Sequence, residues 1–380
     1  MNRTPNFPRD RRGVALPLAL FTLVIVAVMI TAVFYVGRLE QRMGYNSLAS
    51  TQAFEAAEAG VAAVLSNWNS STYNALASGT TLTLPSAAVG SNAVYTASLQ
   101  RLNSNLFLIQ VEGRFLVGGE AITRRQVGRL VRFDPPDLDP EAAVASRQTL
   151  EVAGTASING SDSVPPAWGA YCPSPGATAP GIRDSVGTIT VTAPCTVPSC
   201  ITGNPPVKAD STVTDASFHS WGNLTFEDMA AMVNKTISGS VGGIQATVDP
   251  GPGGACRTTD ATNWGDPLNP GAPCGNYFPI IYAPGDVTLT DGWGQGILLV
   301  EGDLTIAGPV TFYGAVMVKG SVQATNGNLF GALTINSSTG TPTSIGGTAT
   351  MIYSRCVLAR VATGAAPPSA LRERSWVQLY

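Results

Sequence analysis

Charge and histidine are what this chain has least of. Asp, Glu, Lys and Arg make up 12% of its 380 residues, the net charge is −3, and His219 is the single histidine. No basic stripe interleaved with aromatics occurs, so nucleic acid is excluded as a partner on charge grounds. One histidine and widely spaced cysteines give no zinc-ligand pattern. Ser217, His219 and Ser220 adjoin Asp215, but catalytic triads are not assembled from such sequence neighbours. No glycine-flanked nucleophile elbow is present. There is no Walker A run either, and Gly251-Pro252-Gly253-Gly254 reads as a turn, not a phosphate cradle. These absences point to a non-enzymatic protein with no catalytic residues and no resident cofactor.

Charge is missing altogether from Val14 to Val36, a run of 23 residues. At about 1.5 Å per residue a helix of that length reaches roughly 34 Å, enough to cross a bilayer's ~30 Å hydrocarbon core. Arg3, Arg9, Arg11 and Arg12 precede it. That bias places the N-terminus in the cytoplasm and everything after Val36 on the far side of the inner membrane, in a single-pass topology. The run is too long for the apolar region of a cleaved secretory signal, and it closes on Phe34-Tyr35 instead of a small-residue cleavage site. Arg11-Arg12 alone is a thin twin-arginine signal. A plain signal anchor is the simplest alternative.

The helical pattern does not stop at the membrane edge. Leu39 and Met43 continue it, and Phe54, Ala57, Val61, Val64, Leu65 and Trp68 recur at three- and four-residue steps. The segment 52–59 is rich in strong helix formers. One helix is therefore expected over residues 14–67, with Gly37, Gly44 and Gly60 as points where it can bend.

Arg11-Arg12-Gly13 followed by Val14-Ala15-Leu16-Pro17-Leu18-Ala19-Leu20 resembles the class III signal of type IV pilins and pseudopilins. The stretch Ala53-Phe54-Glu55-Ala56-Ala57-Glu58-Ala59-Gly60 is similar to a block in PilX-type minor pilins. The resemblance covers about residues 11 to 68. It implies that a prepilin peptidase removes a leader, residues 1–13, by cutting between Gly13 and Val14, and methylates Val14. It implies an assembly helix that includes Leu18, Phe54, Glu55 and Glu58, other pilins or pseudopilins as partners, and a place in a cell-surface pilus or a type II secretion pseudopilus. Major pilins usually carry Glu where this chain has Leu18, and the K-type tip pseudopilins also lack it. An unpaired carboxylate in hydrocarbon is expensive. The departure argues for a tip or initiating subunit over a shaft subunit. Pro17 falls in the first turn, where proline costs little.

All six cysteines, Cys172, Cys195, Cys200, Cys256, Cys274 and Cys356, lie beyond the apolar run. An even count in an exported region favours disulfides. Cys256 with Cys274 is the preferred pair, since the residues between them are loop-like. Cys195 and Cys200 either close a small loop or one of them pairs with Cys172. Asp260, Asn263, Asp266 and Asn269 crowd the loop between Cys256 and Cys274. Oxygen ligands on a stapled loop suit Ca²⁺, with Asp260 and Asp266 as candidates. The same residue types also simply favour turns.

Abundant Thr, Ser, Gly, Ala and Val with few helical patterns predict mostly β structure after the helix, an α+β class overall. A small pilin-like β unit is expected over 68–134, with strands at 94–99, 106–113 and 125–133. The proline-rich break at 134–140 marks a boundary. A head over 141–363 and a tail over 364–380 follow. Gly296, Gly302, Gly308, Gly314 and Gly320 are spaced by six, each followed by two alternating apolar residues such as Leu298 and Val300, and Gly331 extends the pattern. Gly285 and Gly187 repeat it, with Val287 and Leu289 and with Ile189 and Val191, and Gly154 does so more weakly. Short strands with one inward face and glycine at each corner suggest a β-solenoid resembling a parallel β-helix. A β-sandwich is the alternative. Residues 160–283, with a helix expected over 225–234 capped by Asn223 or Thr225, read as a Cys-rich insertion suited to binding. A non-enzymatic minor pilin is the leading functional reading. A signal-anchored surface adhesin with a β-solenoid head is the second.

Overall fold

The computed structural model describes residues 15–74, 76–103, 105–133, 138, 140–185, 189–222, 224–251, 254–337, 342–365, 368–370 and 376–379. Gly13, Val14, Gly187, Asn223 and most of the break at 134–140 lie outside the described residues. The fold is mixed α+β and mostly β: one long N-terminal helix, then antiparallel and parallel sheets.

The helix is a single element, Ala15–Ser66, of 52 residues. That is about 78 Å of rod. It continues through Gly37, Gly44 and Gly60 without a break. Its C-terminal part lies on an antiparallel sheet whose long strands are Ala93–Asn103, Leu106–Val117 and Glu120–Phe133, with Thr81–Thr83 and Ala87–Val89 beside the first. The expected stripe is what packs: Ala57, Val61 and Val64 are buried against Leu99, Phe107, Ile109, Val111, Val127, Val131 and Phe133, with Phe54, Leu65 and Trp68 at the margin. Burial of this apolar seam drives the docking.

Small residues set how close the helix comes. Ala49, Ala53, Ala56, Ala57 and Gly60 are all buried. A β-carbon on Gly60 would lie 2.6 Å from Val111 Cγ1, and one on Gly113 would lie 2.0 Å from the Ala53 carbonyl oxygen. Gly60 is therefore an approach point and not a bend.

The chain then builds a head and returns. Residues 368–370 and 376–379, expected as part of a tail, pair antiparallel with the outer edge of Glu120–Phe133 and complete the first sheet. The head is thus inserted between two parts of the helix–sheet unit.

Apart from the small antiparallel hairpin of Ser220–Trp221 and Leu224–Thr225, the named strands of the head pair parallel, which does not fit a sandwich of hairpins. Successive long strands Gly292–Val300, Val310–Val318 and Asn328–Ile335 stack in register, Leu298 opposite Val316 and Val316 opposite Leu333. One turn of the chain therefore advances 17 or 18 residues. Between them the short strands Val287–Leu289, Leu304–Ile306, Val322–Ala324 and Thr343–Ile345 form a second parallel sheet. Leu298, Val300, Val316, Val318, Leu333 and Ile335 are all buried inside.

This corrects the six-residue reading. Three six-residue units make one turn, and only some glycines sit at corners. Gly296, Gly314 and Gly331 face one another within the long strands. A β-carbon on Gly314 would lie 1.9 Å from the Gly296 carbonyl oxygen, and one on Gly331 equally close to that of Gly314. At Gly302 and Gly320, which do lie between strands, Asp286 and Asp303 accept backbone N–H groups from the next turn, Asp303 at 2.8 Å and Ser321 at 2.7 Å.

The stack is also permuted. Leu150–Val152 pairs with Thr343–Ile345, and Ser157–Asn159 with Thr350–Tyr353, so the first turn of the head lies beyond the last of the glycine repeat. The strand Asn328–Ile335 is covered half by Thr350–Tyr353 and half by Val144–Ser146. Ile182–Asp184, Ile189–Val191 and Ile201–Thr202 add a further turn at that end, and Val207–Ala209 begins another on Ile182–Asp184. Lys235–Thr236 and Gly239–Val241 lie at the opposite end. Residues 160–283 are therefore not one insertion: they contain turns of the stack, and the true excursion is 242–279. The helix expected over 225–234 is shorter, Phe226–Ala230, with Thr225 as its cap and Asp228 returning the bond. Pro194, Pro198 and Pro205 surround the terminal strands and offer no N–H to a further strand.

Candidate functional site: the uncovered half of the helix

The helix has two halves with different environments. From Ala49 onward one face is buried by the sheet, whereas residues 15–48 are exposed all round. Leu16 (74%), Phe21 (64%), Val33 (72%) and Phe34 (71%) are typical of this half. Leu18 is 62% exposed, an apolar side chain where the resemblance led one to look for a carboxylate. The span is the one described helix long and apolar enough to cross a membrane. Its internal polar groups are satisfied locally: Thr22 Oγ1 donates to the Ala19 carbonyl at 2.9 Å and Thr31 Oγ1 to that of Ala27 at 2.8 Å. A segment in lipid or in a bundle of helices needs that internal satisfaction. Charge resumes only at Arg38, Glu40 and Arg42.

In the second half, Phe54 is half-buried at the margin of the helix–sheet core, while Glu55 and Glu58 are exposed. The block from Ala53 to Gly60 thus does two things. Its small residues form the seam against Gly113 and Val111, and its two glutamates point to solvent. Gly113 was missed in the sequence; a lone glycine inside an otherwise alternating strand was the available signal.

The six cysteines form three disulfides: Cys172–Cys356, Cys195–Cys200 and Cys256–Cys274, with Cα–Cα distances of 5.6, 5.5 and 4.9 Å. Cys172 pairs with neither Cys195 nor Cys200. It reaches across 184 residues to the helix Arg355–Ala365, which lies on the long strands of the stack.

The loop between Cys256 and Cys274 is held by turns and by a lysine. The Asp260 carboxylate accepts from Thr262 N (3.2 Å) and its hydroxyl, which keeps its pKa below the usual value, and Asp266 Oδ1 accepts from Asn269 N at 3.1 Å. The buried Lys235 donates from Nζ to the carbonyls of Thr258 (2.8 Å) and Asp260 (2.5 Å), so an ammonium already occupies the oxygen-rich inner side of this loop. Among the described residues no group of three His, Cys, Asp or Glu side chains gathers where a metal ion could sit.

Other polar groups of the head serve packing. His219 Nε2 meets Asn336 Nδ2, Asp215 pairs with Arg147 at 2.5 Å, and Ser217 caps its own turn on Thr214; the three do not converge. Lys319 lies 4.1 Å over the Phe226 ring, between Glu227 (2.9 Å) and Glu301 (3.0 Å). Burial alone would lower its pKa, but the two carboxylates hold it above the usual lysine value. Asp210 is held down at about 2, first by the Thr212 hydroxyl and then by Arg183.

No protein-family model and no curated protein matches the chain. Among solved structures it is similar to the crystal structure of the competence-associated pilin ComZ from Thermus thermophilus, with 15% identity over 87% of this chain and 98% of that one, at a TM-score of 0.23. A superposition of that quality does not establish a shared architecture.

Proposed function

We propose that this protein is a non-enzymatic minor pilin or pseudopilin that takes part in assembling a type IV pilus or a type II secretion pseudopilus, at the tip or in initiation. The observation that carries the proposal is the divided helix. One half is fixed to its own sheet, and the other leaves an all-round apolar surface over 15–36 that no described part of its own chain covers. Burying a side chain of Leu or Phe size contributes about 1.5–3 kcal/mol. A run of this length is therefore stable only in lipid or among other helices. In this reading the helix waits in the inner membrane with its N-terminus in the cytoplasm and then exchanges lipid for neighbouring pilin helices. A prepilin peptidase would free Val14 and methylate it. The stacked parallel turns would form a β-solenoid head on the extracytoplasmic side, where disulfides form readily.

Leu18 supports a tip or initiating place. An internal subunit would present a carboxylate to the amine of its neighbour, and this chain presents leucine. A subunit that begins a filament has no such duty.

A photo-crosslinking residue in place of Val24, on the exposed apolar half, tests this in intact cells. Adducts with other pilins are expected. Adducts with lipid alone in cells that carry filaments would contradict the proposal. That outcome would favour the second reading, a signal-anchored adhesin whose stapled excursion at 242–279 meets a surface.

A further inference from the structure

Between the head and the helix–sheet unit lies a cleft of about 470 Å³. Asn74 reaches it from the helix–sheet side, Asp162 and Tyr171 from the segment after Ser157–Asn159, and Arg355 and Arg360 from the C-terminal helix. Its remaining walls include Val164, Pro173, Phe278 and Ala359.

Arg360 is fixed in an aromatic cage. Its guanidinium carbon lies 4.6 Å from the Trp168 ring, 4.8 Å from Tyr171 and 5.7 Å from Phe278. The Trp168 ring stacks in turn on Tyr313, and Tyr313 on Phe330, so the cage is anchored in the parallel stack. Arg360 Nη2 donates to Asn276 Oδ1 at 2.9 Å. Nη1 is buried and has no hydrogen-bond partner among the described residues. A buried guanidinium donor left unpaired is costly, and such a group in a native fold calls for an explanation.

The neighbouring carboxylate does not provide one. Asp162 Oδ1 accepts from Arg355 N at 2.9 Å and Oδ2 from Gly176 N at 2.5 Å, so Asp162 is engaged in tying the helix start to a loop. Two arginines and one aspartate leave the cleft one positive charge in excess. That balance suits one negative charge and disfavours two. The rest of the lining is largely apolar and aromatic.

We propose that this cleft binds a small monocarboxylate with a flat apolar body. The carboxylate takes the free donors of Arg360, with Arg355 at the rim, and the body lies against Phe278 and Tyr171. The planar fork of a guanidinium matches a carboxylate, and a held guanidinium loses little freedom on binding. The cleft falls within the ~300–1,000 Å³ usual for small-molecule sites. Tyr171 is 48% exposed and lines the cleft, so its ring offers a face to the ligand body. Because Asn74 also bonds the Thr363 carbonyl at 3.2 Å, an occupant would touch the joint between head and helix–sheet unit. None of this depends on whether the helix enters a filament.

The test is a titration of the full chain in nanodiscs, followed by tryptophan fluorescence. The probes are 3-phenylpropionate, its neutral amide and phenyl phosphate. The acid is expected to saturate, and the amide and the doubly charged phosphate to bind about tenfold more weakly or not at all. Arg360→Lys, which keeps the charge and loses the fork, should weaken the acid by about tenfold. Arg355→Gln, at an exposed position, should weaken it by roughly threefold with the fold intact. Absence of saturation by the acid, equal binding of acid and amide, or wild-type affinity in Arg360→Lys would each overturn the proposal. Should Arg360→Lys fail to fold, the acid–amide comparison on the unaltered chain and Arg355→Gln decide.

Discussion

Gly113 sits so close beneath the N-terminal helix that a β-carbon on it would lie 2.0 Å from the carbonyl oxygen of Ala53 and 2.6 Å from the amide of Ala57. Both obstacles are backbone, which cannot rotate away. Gly113→Ala must therefore push the helix off the sheet. Overpacking of this kind costs about 1–3 kcal/mol. A urea titration of the full chain in nanodiscs, followed by far-ultraviolet circular dichroism, should show the midpoint fall. Gly37→Ala, where nothing lies within 4 Å, should show no loss.

The disulfides should differ sharply in worth. Cys172–Cys356 closes a separation of 184 residues, whereas Cys195–Cys200 closes five. In the chain-entropy account the long closure restricts the unfolded chain far more. Replacing Cys172 and Cys356 by serine should cost about 2–5 kcal/mol and lower the melting temperature of the head clearly. Replacing Cys195 and Cys200 should cost much less. Equal losses would show that the pairs act through native strain or packing and not through the unfolded state.

Asp210 should impose an acid limb on head stability. Its carboxylate, bonded by Thr212 and Arg183, has a pKa of about 2, below the ~3.9 of a free aspartate. A group with a depressed folded pKa gives its full stabilisation above the unfolded value and loses it as pH falls towards the folded one. The contribution is therefore complete above about pH 5, falls away steadily through pH 4 to 2, and is gone near pH 1. Melting temperature measured against pH from 5 to 2 should fall less steeply in Asp210→Asn than in the unaltered chain.

What the sequence disclosed and what it hid divide along physical lines. The long helix was legible because absence of charge over Val14–Val36 and the stripe from Phe54 to Trp68 are local signals, and both halves of the rod are where they place it. The antiparallel strands after it were legible for the same reason. The glycine spacing in the head was legible as a period, but six residues is a fraction of the 17- or 18-residue turn. Periodicity alone does not distinguish a corner glycine such as Gly302 from a close-approach glycine such as Gly314. The permuted order was hidden, because Leu150–Val152 lying next to Thr343–Ile345 is a long-range pairing with no local signature. The partner of Cys172 was hidden for the same reason. The exposed helix half was readable at once, whereas the Arg360 cage depends on Trp168, Tyr171 and Phe278 converging from separate segments.

The central claim is that the apolar rod is trimmed at its basic end and then shared with neighbouring subunits. Intact mass and N-terminal sequencing of the protein extracted from cell membranes test it most directly. The account predicts a chain beginning at N-methylated Val14. A chain that begins at Met1, with Arg11, Arg12 and Gly13 still in place, would contradict it.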